Sequence, residues 1–225
     1  MTLFEDVDRY LEDVVVGSEP VLEEVLRESE RAGLPPHQVS PLQGRLLTVL
    51  AGLVRPSSIL EIGTLGGYSA ICLARALVPG GRLVTLESEE RCARVARANV
   101  ERAGLGGVVD VRVGPALDTL PGLGAADGVP FDVVFIDGNK DDNDRYLDWA
   151  IRLGRPGTLI VADNVVRKGA VIDPESTDPA VLGVRRFLEA GAADPRVDLA
   201  ALQVVGAKKH DGLAIATIVS DEAAR

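Results

Sequence analysis

Ser58-Ile59-Leu60-Glu61-Ile62 runs directly into Gly63-Thr64-Leu65-Gly66-Gly67-Tyr68-Ser69. The first five residues form a short apolar run of strand length, the glycines make a tight turn, and the spacing predicts a helix from Ser69 to Val78. Downstream the alternation repeats. Arg82–Glu87 reads as a strand, Glu89–Ala103 as a helix and Val108–Val113 as a strand. Phe131–Ile136 reads as a strand, Asp142–Leu153 as a helix and Thr158–Ala162 as a strand. Strands apolar on both faces and separated by helices specify a mostly parallel sheet covered on both sides, an α/β fold. Leu199–Val205 and Leu213–Val219 are two further β-like runs, joined by 206–212 as a closing hairpin.

Upstream, residues 1–55 are helical in pattern. Leu3, Val7, Tyr10, Leu11, Val14 and Val15 follow a three-to-four spacing, and Ser18-Glu19-Pro20 opens a second helix. Ser40-Pro41 places an N-cap before a proline at the first helical position of a third. With no repeat or linker in view, the chain reads as one domain, 1–225, with N-terminal helices over 1–55 and a Rossmann-like core over 56–225.

Composition narrows the function. The chain of 225 residues carries 24 Lys and Arg against 34 Asp and Glu, a net charge of −10. That balance disfavours an extended nucleic-acid surface, which needs clustered cations. No apolar run approaches the roughly 20 residues of a membrane span. The acidic start, Met1-Thr-Leu-Phe-Glu-Asp, does not read as a secretion signal. Cys72 and Cys92 lack metal-type spacing and make no disulfide framework, so a cytoplasmic protein is expected.

In an open parallel sheet, ligands bind beyond the carboxyl ends of the strands. Those ends carry Glu61, Gly63, Thr64, Gly67 and Ser69, then Glu87, then Gly114-Pro115-Ala116, then Asp137-Gly138-Asn139-Lys140, then Asp163-Asn164. The glycine loop is E-x-G-x-x-x-G, not the G-x-G-x-x-G of dinucleotide folds. Alone it is a tight turn. Glu87, at the end of the second strand, is placed to accept two ribose hydroxyls, which implies a nucleoside-bearing cofactor. Asp137, Asp163 and Asn164 offer three oxygen ligands from two strand ends, a set suited to Mg²⁺ or another divalent cation.

These residues resemble the S-adenosylmethionine-dependent, divalent-metal-dependent O-methyltransferases that include the catechol and caffeoyl-CoA enzymes. The resemblance runs through Val39–Gly44, Leu60–Ser69, Gly114–Leu117, Phe135–Lys140, Ala162–Asn164 and Asp211–Ile215. It implies a seven-stranded class I methyltransferase sheet with an antiparallel last strand. It implies cofactor contacts at Val39, Glu61, Gly63, Thr64, Gly67, Ser69, Glu87, Ala116, Asp137 and Asn139. It implies metal ligation by Asp137, Asp163 and Asn164, with Lys140 as general base, and a homodimer. The expected acceptor is a catechol-like phenol, and no membrane or nucleic-acid partner is expected. The alternative is a hydroxylated uridine of tRNA, for which Arg185-Arg186 or Lys208-Lys209 would supply a basic patch. Two departures bear on the acceptor: Asn139 replaces the Trp of the catechol enzymes, and Lys168 replaces an Asn of the plant caffeoyl-CoA enzymes. Arg167 and Lys168 open a loop to Pro179 that is expected to overhang the metal and favour acidic phenols. Trp149 is expected in the core, and His37 and His210 on the surface.

Overall fold

A computed structural model describes residues 2–206 and 209–219. Three helices come first: α1 (Leu3–Leu11), α2 (Pro20–Arg31) and α3 (Pro41–Val54). The core then alternates β1 (Ser58–Ile62), α4 (Tyr68–Ala74), β2 (Arg82–Glu87), α5 (Glu90–Arg102), β3 (Val109–Val113), the short α6 (Ala116–Thr119) and β4 (Val133–Ile136). It finishes with α7 (Asn143–Leu153), β5 (Leu159–Asp163), α8 (Pro179–Ala193), β6 (Val197–Gly206) and β7 (Lys209–Ile218).

One seven-stranded sheet runs in the order β3-β2-β1-β4-β5-β7-β6. All neighbours from β3 through β5 are parallel, while β7 is antiparallel to β5 and β6. This is the arrangement that the resemblance implies. Strand order reverses between β1 and β4, and the crevice there is where a ligand belongs.

The strands segregate their side chains with a period of two. Ile59, Val133, Phe135 and Val161 face one apolar layer beneath α3, α4 and α5. Leu60, Ile62, Val134, Ile136 and Ile160 face the other, beneath α7 and α8. Phe135 and Phe187, one in each layer, are fully buried. Each such side chain stabilises the fold by roughly 1.5–3 kcal/mol. Cys72 and Cys92 are both free thiols, and no helix among the described residues is long and apolar enough to cross a membrane.

Several local readings change. The first helix gives way at Glu12–Val16 to a π-turn closed by Gly17 at φ +66°. α4 stops at Ala74 rather than Val78, because Ala76 and Leu77 tighten into i→i+3 bonds and Val78 N–H turns to Pro56 O. The hairpin is tighter than expected: Gly206 pairs with Lys209, so His210, Asp211 and Gly212 belong to β7. Ala207 and Lys208 lie outside the described residues. α8 is a helix that sequence reading missed. Its signals are an Asp178 side chain accepting from Ala180 N–H (2.9 Å), Pro179 at the first position, and buried Val181, Val184 and Phe187.

Candidate active site

A cavity of about 1220 Å³ opens across the carboxyl ends of β1, β2, β4 and β5. The strand order divides its floor. Residues after β1, β2 and β3 lie to one side, and those after β4, β5 and the β6–β7 turn to the other.

On the first side, Gly63 adopts φ +99°, and a Cβ there would stand 2.5 Å from the Asp137 carbonyl oxygen. Glycine is therefore what lets the β1 and β4 loops cross at the switch point. Glu87 is 9% exposed and lines the cavity. Its Oε2 accepts from Leu65 N–H (2.7 Å) and its Oε1 from Glu89 N–H (3.0 Å). Those two bonds hold the carboxylate in one orientation, with its other lone pairs open to a donor. Thr64, Ser69 and Ala116 also line this side.

Three expected cofactor contacts sit behind the wall rather than on it. Val39 turns its apolar side chain into the core. Gly67 caps α4 at φ +86°, and a Cβ there would press on Ala96 of α5 at 3.4 Å. Glu61 is fully buried. Thr85 Oγ1 donates to Glu61 Oε2 (2.5 Å) and accepts from the Thr64 hydroxyl (2.5 Å), while Glu61 Oε1 has no partner. Burial pushes the Glu61 carboxyl up to about 8, against the opposing pull of the Ser69 and Thr85 hydroxyls. Glu61 thus acts on the cavity through hydroxyls: Thr85 and Thr64 in series, and Ser69.

The second side is acidic at its floor. Asp137, Asn139, Lys140, Asp163 and Asn164 all line the cavity. Lys140 is 8% exposed, and its Nζ lies 2.7 Å from Asp137 Oδ1. Burial first, and then the charge of Asp137, push the Asp163 carboxyl up to about 7, with Lys140 opposing. Asp163 Oδ1 accepts from Asn164 N–H (2.7 Å), and Asn164 stands at φ +61°. No three Asp, Glu, His or Cys side chains gather at one point among the described residues. A cation here has to be held by two carboxylates and the amide oxygen of Asn164. The donor set fits one: all are hard oxygens, and the buried Asp163 carboxyl, raised by burial and by the charge of Asp137, gains from positive charge beside it.

Sequence reasoning passed over several contributors. Gln43 closes the α3 cap, its Oε1 accepting from Ser40 N–H (2.9 Å), and its Nε2 donates to Asp163 Oδ1 (3.4 Å). The signal was the Ser40–Gln43 spacing of a capping box. Asp211 Oδ1 accepts from the N–H groups of Val166, Arg167 and Gly212 (3.1, 3.0 and 3.0 Å). Val181 and Asp178 of α8 line the same side, as does the buried Tyr146 of α7. His37 is an exposed loop residue, yet it reaches the rim. Trp149 is only half-buried, stacked under the Arg152 guanidinium at 5.3 Å. His210 is half-buried too, its Nε2 2.8 Å from Gln203 Oε1.

Comparison with known proteins agrees with this architecture. The family model described as O-methyltransferase matches residues 12–217. A protein of Niastella koreensis named catechol O-methyltransferase is 48% identical over 216 residues, covering 96% of this chain and 98% of the relative. The solved O-methyltransferase from Bacillus cereus in complex with SAH superposes with a TM-score of 0.93 at 51% identity, covering 96% of this chain and 98% of that one. An O-methyltransferase from Streptomyces achromogenes involved in tomaymycin synthesis, in complex with SAM, also gives 0.93, at 43% identity, covering 98% and 100%. Sheet order, switch-point cavity and sequence agree over nearly the whole chain, and the protein belongs to the O-methyltransferase family.

Proposed function

We propose that the chain is a single catalytic domain that transfers the methyl group of S-adenosylmethionine to one hydroxyl of a catechol-like vicinal diol. The observation that carries this reading is the meeting of Asp137, Asp163, Asn164 and Lys140 on one side of a cavity whose other side presents Glu87 and the glycine loop. The solved relatives in complex with SAH and SAM support the cofactor, and the Niastella relative's name supports the acceptor.

Glu87, fixed by Leu65 and Glu89, accepts the ribose hydroxyls. Thr64 and Ser69 on the glycine loop and Ala116 after β3 line the remaining cofactor surface. Asp137, Asp163 and Asn164 would hold a divalent cation, which when bound acidifies and orients a chelated diol. Lys140 Nζ, as the neutral amine, takes the proton of the attacking hydroxyl, and the ammonium so formed pairs with the Asp137 carboxylate, 2.7 Å away. The new oxygen–carbon bond forms in line as the sulfur–carbon bond breaks, leaving the neutral thioether S-adenosylhomocysteine. The buried Tyr68 and Tyr146 exclude water from the cavity wall.

The apolar face of α1 and the π-turn supports a homodimer as part of this reading. Leu3, Tyr10 and Val14 are 74%, 66% and 64% exposed, and Leu53 at the end of α3 is 78% exposed. Sedimentation should then give about twice the 23.7 kDa of the chain. A cytoplasmic location and the absence of a nucleic-acid partner follow from the same reading. The deciding assay is a panel of ortho-dihydroxy and monohydroxy phenols with S-adenosylmethionine, with and without EDTA. Turnover confined to the diols and abolished by chelator is expected. Equal turnover of monohydroxy phenols in EDTA overturns it.

A further inference from the structure

The protein is acidic, yet the mouth of the acceptor side carries Arg167, Lys168 and Lys209. Arg167 Nε is buried without a partner, and among the described residues none of the three side chains makes an ion pair. The acids nearby are otherwise engaged. Asp211 is held by three backbone N–H groups, Asp178 caps α8, and Asp142 takes Arg145 at 3.1 Å. Asp8 of α1 stands against Gly206, the strand partner of Lys209, and is engaged as well.

The backbone at this corner is also unusual. Arg167 and Lys168 are consecutive non-glycine residues at φ +54° and +58°, followed by Gly169 at +89°. Such strain persists only where surrounding contacts over-determine it. Here the Asp211 carboxylate does so, binding the N–H groups of Val166 and Arg167. The loop is thereby pinned in the conformation that sets Arg167 in the cavity wall. A half-buried guanidinium without a counter-ion is costly unless an anion completes it.

We infer that Arg167, flanked by Lys168 and Lys209, binds the carboxylate of an anionic catechol acceptor. The inference rests on the proposed diol methylation and adds its substrate class. Tyr146 and Val181, which line the same cavity, suit the aromatic ring. The acceptor then has hydroxyls at one end, ring in the middle and negative charge at the other.

The test compares 3,4-dihydroxyphenylacetate with 3,4-dihydroxyphenylacetamide, which share hydroxyls and shape and differ in one charge. Turnover is measured for the parent and for Arg167→Gln, Lys168→Gln and Lys209→Gln. Calorimetric binding is measured in the presence of S-adenosylhomocysteine, and thermal melts check folding. The parent is expected to favour the acid by about tenfold or more, as charge-assisted bonds do. The preference should appear in KM and Kd rather than kcat, and it should shrink with added salt. Arg167→Gln should bring the ratio below about threefold, whatever the absolute rate. Turnover of both compounds with a parental ratio near one overturns the inference and leaves diol methylation standing. An unchanged ratio in Arg167→Gln removes that residue from the role. Methylation of neither compound overturns both readings.

Discussion

Lys140 Nζ lies 2.7 Å from Asp137 Oδ1, and both side chains are largely withdrawn from solvent. A hydrogen bond of that length between two shielded side chains fixes both, so Nζ is aimed before any acceptor arrives. Lys140→Met should cut kcat by at least about 10², the usual contribution of a positioned proton acceptor. Binding of S-adenosylhomocysteine should change by less than about threefold, because Lys140 lies on the other side of the switch point. Steady-state kinetics and calorimetry check the two halves separately.

Glu87→Gln probes the cofactor side. The amide keeps one acceptor oxygen and turns an NH₂ toward either Leu65 N–H or Glu89 N–H, both of which now donate to the carboxylate. Losing one such bond to a charged group costs about 1.5–3 kcal/mol, so Kd for S-adenosylhomocysteine should rise roughly tenfold or more. An unchanged Kd would remove Glu87 from the ribose site.

Glu61 gives a pH dependence with a definite sign. Burial raises its carboxyl to about 8 in the folded protein from an ordinary 4.5. The folded state therefore holds the proton longer than the unfolded chain does, and stability falls as pH rises from about 4.5 to about 8. Glu61→Gln cannot lose that proton. The difference in unfolding free energy between variant and parent, followed through their Tm, should move in the variant's favour between pH 5 and pH 8, by of order a few kcal/mol at most. Other groups, Asp163 among them, act in both proteins and cancel in the difference. Parallel Tm curves would show that Glu61 is not the group responsible.

Gly183 of α8 tests the helix that supports Lys140. A Cβ there would come 2.2 Å from the Lys140 carbonyl oxygen and 2.7 Å from that of Asp141. Gly183→Ala should destabilise by about 1–3 kcal/mol through overpacking. It should also lower kcat, because α8 can yield only by moving the 140–142 turn. A stable variant with full activity would separate α8 from the site.

What the sequence disclosed depends on the range of the interaction. Period-two apolar runs with glycine and proline punctuation are local, so β1 to β5 were legible within a residue or two. Asp137, Asp163 and Asn164 were legible as a group because the parallel-sheet rule brings strand ends to one rim without any knowledge of side-chain geometry. Glu61 is the contrast. Its position at the strand end suggested a ligand contact, but period two aims it under the loop, where Thr85 takes it. α8 was overlooked, and its Arg185-Arg186 pair was weighed only as a basic patch for a tRNA acceptor. Arg186 is instead spent on Asp144 (3.0 Å) and Arg185 on the Val171 carbonyl (2.8 Å). The hairpin boundary failed for a different reason. Lys209, His210 and Asp211 are polar residues on a half-exposed strand pair, and only the ladder itself marks them as β.

The reversal of strand order between β1 and β4 gives the molecule two separately encoded halves. Of the cavity residues, those proposed for the ribose and the glycine-loop side (Thr64, Ser69, Glu87 and Ala116) come from 63–117, and those proposed for the cation and acceptor come from 137–211, with Gln43 of α3 added. The second stretch can therefore be exchanged as a cassette between relatives, with the junction placed in the 120–130 connection. A chimera built this way should inherit the donor's choice of phenol while keeping its own grip on the sulfonium.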